Sequence, residues 1–161
     1  MEKVYIALGG NVGDVAETFE IAINNMEKAL GSVIEKSSLY KTEPWGNKNQ
    51  DPFLNMVICV ETNLNAEEVL TITLGIEKIM GRERNEDNQF APRTIDIDIL
   101  FYGKKIMDTG KIIIPHPRLH LRNFVLTPLM EIAPGLVHPS FNKKIKDLFE
   151  NNTDDSLVEK I

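Results

Sequence analysis

Polar and apolar residues alternate over positions 3–8, with Val4, Ile6 and Leu8 on one side, and the pattern stops at Gly9-Gly10-Asn11-Val12-Gly13. A period of two ended by glycines predicts a first strand. Val15, Phe19, Ala22, Ile23, Met26 and Leu30 then recur at helical spacing, between Asp14 with Glu17 as a cap and Gly31 as a stop, so a helix is expected over 15–30. Residues 33–42 and 54–62 are rich in β-formers and are joined by a breaker-laden connection, 43–52. Asn65 and Glu68 repeat the cap signal; Val69, Ile72, Ile76, Ile79 and Met80 supply a second helical stripe, and Gly81 ends it. A polar loop, 82–92, precedes a strand over 94–102, whose far end Ile112–Ile114 could pair with.

The resulting order, βαββαβ, predicts an α+β fold: a ferredoxin-like core with an antiparallel-dominated sheet and both helices packed on one face. The direct step from residue 42 to residue 54 lacks the helix that a doubly wound fold requires. Short extra helices are expected near 118–131 and 142–150, followed by an acidic, frayed tail over 151–161. The 161 residues fit one domain spanning 1–161.

Eighteen basic against 24 acidic residues give a net charge of −6, which disfavours nucleic acid and anionic membrane as partners. A single cysteine, Cys59, and a start without a charged and apolar leader point to a cytoplasmic protein, and monomer is the default state. All five arginines, at positions 82, 84, 93, 118 and 122, fall within one stretch of the chain, whereas the lysines are scattered. Arginine suits bidentate contact with phosphate or carboxylate.

On the strand Ile95-Asp96-Ile97-Asp98-Ile99-Leu100-Phe101, alternation sends Ile95, Ile97, Ile99 and Phe101 to one face and Asp96 with Asp98 to the other. Two carboxylates at i and i+2 stand roughly 6.6–6.8 Å apart along the chain, a spacing that can ligate one divalent cation or bracket two. Acidic metal ligands beside guanidinium groups suit Mg²⁺ with a nucleotide triphosphate. The glycine turn at 9–13 lacks the spacing of a dinucleotide fingerprint and the lysine of a P-loop, and is better suited to close passage of a ligand. His116 and His120 are four apart, but Pro115 and Pro117 force His116 out of helical geometry, which argues against zinc. His116 reads as a phosphate or ribose contact and His120 as a surface or packing residue. Trp45, Phe53, Phe90 and Phe124 lie in or beside loops, where a flat ligand could stack on them.

Ala91-Pro-Arg-Thr-Ile-Asp-Ile-Asp-Ile-Leu100, with Ala7-Leu-Gly-Gly-Asn11, Thr42-Glu-Pro-Trp-Gly46, Phe53-Leu-Asn55, Gly81-Arg-Glu-Arg84, Pro115-His116 and Arg122-Asn-Phe124, closely resembles the 6-hydroxymethyl-7,8-dihydropterin pyrophosphokinases of folate biosynthesis. The resemblance implies transfer of the diphosphate of ATP to the pterin hydroxymethyl group with release of AMP. It implies two Mg²⁺ on Asp96 and Asp98, with Arg84, Arg93, Asp96 and Asp98 as catalytic residues. It further implies ATP contacts from Glu77, Arg84, Arg93, Ile99, Lys111, His116 and Arg122. For the pterin it implies Gly9, Thr42, Pro44, Trp45, Phe53, Asn55, Phe90 and Phe124, the ring lying between Phe53 and Phe124. Gly10, Leu74 and Gln89 depart from the family pattern, Gln89 by removing a cation from the loop expected to close over ATP. Loops 43–52 and 82–92 are expected to order when both substrates bind. The rival readings are a ferredoxin-like regulatory module binding a small ligand and a nucleic-acid-binding domain of the same topology; neither accounts for Asp96 and Asp98.

Overall fold

A computed structural model describes residues 1–43, 51–81 and 94–161. Its main sheet is antiparallel throughout, in the order β10 (Val158–Lys160), β3 (Tyr40–Thr42), β4 (Phe53–Thr62), β1 (Glu2–Gly10) and β5 (Asp96–Tyr102), with β2 (Val33–Lys36) also paired to β4. The two long central strands are β1 and β4, flanked by β5 on one side and by β2 and β3 on the other. The βαββαβ order and the antiparallel sheet are those expected from the sequence.

Helices α1 (Val15–Ala29) and α2 (Ala66–Ile79) begin on local caps. The Asp14 carboxylate accepts from the Glu17 N–H, and Asn65 with Glu68 forms a reciprocal capping box. Each cap satisfies amides that the first turn leaves without an intrahelical partner. Both helices lie on one face of the sheet, where Phe19, Ala22 and Met26 of α1 and Val69 and Ile76 of α2 meet Val4, Ile6, Leu8, Ile58, Ile97 and Ile99. Transfer from water of a side chain as completely sealed as Phe19 contributes on the order of 1.5–3 kcal/mol. Gly31, at φ 147°, follows α1 where a Cβ would run into the Glu61 carbonyl, so the stop is also a packing requirement.

The opposite face carries a second cluster: Tyr5, Val57, Cys59, Leu100 and Phe101 under Leu119, Val125, Leu126, Leu129 and Ile145. Its cover is a 3₁₀ turn (Leu119–Leu121), α3 (Asn123–Ile132) and the short α4 (Ile145–Glu150). Cys59 is part of this packing, its thiol pushed up to about 11 mainly by burial.

Four expectations are corrected. The 33–42 segment is two strands: Lys36 pairs with Ile58 and Tyr40 with Asn55, so four steps oppose three and a bulge forms at 37–39. The Ser37 hydroxyl fills the gap by accepting from the Val57 N–H. Phe101 does not share a face with the isoleucines, because the β1–β5 register shifts between Tyr5 and Ile6. Tyr5 opposes Phe101 and Ile6 opposes Ile99, which moves Phe101 to the second cluster and Tyr102 to the first. Ile113–Ile114 (β7) pairs with Met107–Asp108 (β6) as a separate ribbon rather than with β5. The tail is not frayed: Val158–Lys160 forms β10 on β3, which would otherwise be an open edge, and the Ile161 N–H donates to the Leu39 carbonyl. A further small ribbon joins β8 (Val137–His138) to β9 (Lys143–Lys144).

Candidate active site

The register across the sheet assembles the site. Gly9 pairs with Asp96 on one side and Asn55 on the other, and Ala7 pairs with Asp98. Directly opposed residues share a sheet face, so both carboxylates and the Asn55 amide look out over two residues with almost no side chain. The space is occupied from one side by the Asn55 amide, which donates to the Thr42 hydroxyl at 3.2 Å. A Cβ at Gly9 would stand 2.9 Å from Asn55 Oδ1, so glycine there is a requirement of this approach.

Above this floor lies a cleft of about 360 Å³. Asp96, Asp98, Gly9, Asn55, Thr42, Phe53, His116, Arg122 and Phe124 all line it. The volume is that of an ordinary small-molecule site, which starts near 300 Å³. Nine residues expected from the sequence thus converge from six parts of the chain. The Arg122 guanidinium lies 5.5 Å from the Phe124 ring centroid, so cation and aromatic form one wall.

His116 follows the cis Ile114–Pro115 bond and is held to β5 by its N–H, which donates to the Leu100 carbonyl at 3.0 Å. Burial first, then the positive charge of Arg122, pushes its imidazole down to about 4, against the opposing pull of Asp96. The ring is therefore neutral at physiological pH. Its Nδ1 accepts from the Arg118 N–H at 3.1 Å, which leaves the proton on Nε2 as a donor.

Other expected residues stand elsewhere. Glu77 is 2% exposed on α2, and its Oε2 accepts from the Ile97 N–H at 2.6 Å, beneath β5 rather than on the cleft wall. The Ile99 side chain is in the core under α1 and α2, and Lys111 is exposed in the β6–β7 connection. Gly10 is buried opposite Leu54, and Leu74 is 39% exposed on α2. Pro44, Trp45, Arg84, Gln89, Phe90 and Arg93 lie outside the described residues, as do most of the two long loops. Ala7, Leu100, Arg118, Leu121 and Val125 line the cleft without having been assigned to it. Ala7 was legible as the small residue facing away from Val4, Ile6 and Leu8, and Leu100 as the continuation of the face that carries Asp96 and Asp98.

Among the described residues no three His, Cys, Asp or Glu side chains form a metal-binding group, and no helix is long and apolar enough to cross a membrane. Two carboxylates with no third such donor beside them among the described residues are a set that would suit Mg²⁺, which completes its shell with phosphate oxygens and water.

Carboxylates, guanidinium groups and a neutral imidazole donor around a partly apolar cleft are the groups used by enzymes that move phosphoryl groups. Comparison with known proteins narrows the class. Residues 5–134 match the family model described as 7,8-dihydro-6-hydroxymethylpterin-pyrophosphokinase (HPPK). A 2-amino-4-hydroxy-6-hydroxymethyldihydropteridine pyrophosphokinase from Aquifex aeolicus (strain VF5) is 40% identical over 154 residues, 95% of this chain and 94% of that protein. The protein of that name from Bacillus subtilis (strain 168) is 43% identical over 132 residues, 80% of this chain and 77% of its own. A crystal structure of the wild-type Plasmodium falciparum HPPK-DHPS superposes with a TM-score of 0.74 at 18% identity, covering 92% of this chain and 40% of that one, and supports the fold. The chain belongs to the HPPK family and is a pyrophosphokinase of folate biosynthesis.

Proposed function

We propose that this cleft holds ATP and 6-hydroxymethyl-7,8-dihydropterin side by side and transfers the β,γ-diphosphate to the hydroxymethyl oxygen. The observation that carries this reading is the convergence of Asp96, Asp98, His116, Arg122, Phe53 and Phe124 on one cleft in a chain of this family. Phe53 and Phe124 stack the pterin, and Asn55, already tied to Thr42, reads its polar edge. His116 offers its Nε2 proton to a phosphate or ribose oxygen, and Arg122 with Arg118 faces the phosphates. Arg84 and Arg93 join them by family resemblance, as do Pro44, Trp45 and Phe90 on the pterin side.

The hydroxyl oxygen attacks the β-phosphorus while the bond from that phosphorus to the α,β-bridging oxygen breaks. AMP leaves with the electron pair. The hydroxyl proton passes to a carboxylate such as Asp98 or to water. Two Mg²⁺ on Asp96 and Asp98, when bound, would neutralise the charge of the phosphates. The guanidinium groups stabilise the charge that gathers on the leaving AMP. The test is release of AMP from ATP, dependent on both Mg²⁺ and the hydroxymethyl-dihydropterin, with a pterin diphosphate as the second product. ADP formation, or AMP release indifferent to the pterin, would contradict it.

A further inference from the structure

Helix α3 carries Phe124 and Val125 in its first turn and follows directly on Arg122, all three lining the cleft. Unlike α1 and α2, it has no local cap: Arg122 makes no side-chain capping bond, and the first turn holds no acidic residue. Its capping comes from a residue 31 positions away. The Asn123 N–H donates to Asp154 Oδ2 at 2.8 Å, and Asn123 Nδ2 donates to the Asp154 carbonyl at 2.7 Å and the Ser156 carbonyl at 3.3 Å. Asn152 Nδ2 donates to Asn123 Oδ1 at 2.7 Å. The other Asp154 oxygen accepts from the N–H and hydroxyl of Ser156 at 2.9 and 2.7 Å. These bonds hold the Asp154 carboxyl below the usual carboxylate range, so an anion sits at the positive end of the helix. Immediately beyond, β10 pairs with β3, with Val158 opposite Thr42 on the other side of the cleft.

We propose that Asp154 is a positioning residue for substrate binding: it fixes Asn123, and through it the flanking Arg122 and Phe124, in the pose that receives the pterin and the phosphates. Asp154 does not itself line the cleft, so its action is through the residues it holds. This rests on the reading of Phe124 as a pterin-stacking residue.

The experiment is steady-state kinetics and thermal melting of the full chain with Asp154→Ala, Asp154→Asn, Phe124→Ala and the Asp154→Ala/Phe124→Ala double substitution. Asp154→Ala raises the KM for the pterin by about three- to thirtyfold, the equivalent of one lost helix cap, while kcat at saturation stays within about twofold. Asp154→Asn recovers much of the loss, because an amide oxygen still accepts from the Asn123 N–H. In the Phe124→Ala background, adding Asp154→Ala raises KM by less than it does alone, since the two act through one ring. A lowered melting temperature with unchanged KM, a loss confined to kcat, or full additivity would each overturn the proposal. If Asp154→Ala does not fold, the same division between KM and kcat is read from Asn123→Ala, which removes the side-chain half of the same contact. An unchanged KM in Phe124→Ala alone rejects the stacking reading and the proposal with it, an outcome distinct from an effect of Phe124→Ala that Asp154→Ala fails to share.

Discussion

The two faces of β5 receive different treatment from the rest of the chain. Ile95, Ile97 and Ile99 face α1 and α2, two capped helices that exclude water from everything beneath them. Asp96 and Asp98 face the side covered by a 3₁₀ turn and shorter helices, whose cover stops short of Gly9, Ala7 and Asn55. A carboxylate without compensation under the sealed face would be forced to neutralise. Under the incomplete cover it can keep its charge and meet a cation. One strand therefore serves stability with one edge of its alternation and, on the proposed function, chemistry with the other.

The largest expected effect breaks the chemical face alone. Asp96→Ala and Asp98→Ala each lower turnover by about 10²- to 10³-fold or more, while melting temperatures stay within a few degrees; near-normal AMP release in either variant would remove the metal role. The complementary change is Ile97→Ala, at a position 2% exposed. It costs about 2–5 kcal/mol in denaturant unfolding, and the fraction that remains folded retains most of its activity. If Ile97→Ala instead abolished turnover without loss of stability, the two faces would not be separable.

Gly9→Ala sharpens the comparison at the cleft floor. The added methyl displaces the end of the Asn55 side chain rather than any backbone, so stability changes by less than about 1 kcal/mol. The pterin KM rises by about tenfold, of the order of one lost hydrogen bond to a site built for it. The smallest effect concerns pH. Folding lowers the His116 pKa from 6.5 to about 4, so its contribution to stability is complete above 6.5 and is lost as pH falls through the window from 6.5 to about 4. His138, also pushed down by burial and by His120, acts in the same direction. His116→Asn therefore flattens, without eliminating, the slope of unfolding free energy across that window. In the unsubstituted protein the His116 ring shows no inflection near 6.5 in an NMR titration.

Much of this division was legible beforehand. The Ile-Asp alternation, the Asp14 and Asn65 caps and the two helical stripes are local patterns, and local sterics and hydrogen bonding suffice to express them. Nine of the expected site residues meet in the cleft because family motifs mark the ends of β1, β3, β4 and β5, the segment after β7 and the start of α3. Glu77 shows the limit. A glutamate on the buried face of a helix carries no signal that one of its oxygens will accept the Ile97 amide, the second of β5.

The sequence by itself determined the two long helices, the central strands, their order and the pairing of two acidic residues on one strand face, since each depends on neighbours within a few positions. Only the tertiary structure decided which face Phe101 occupies, that the tail closes the edge of β3, and that Asp154 caps a helix 31 residues before it. Those outcomes come from register and from distant backbone groups finding partners. Both are settled only when strands and helices compete for the same hydrogen bonds in the assembled fold.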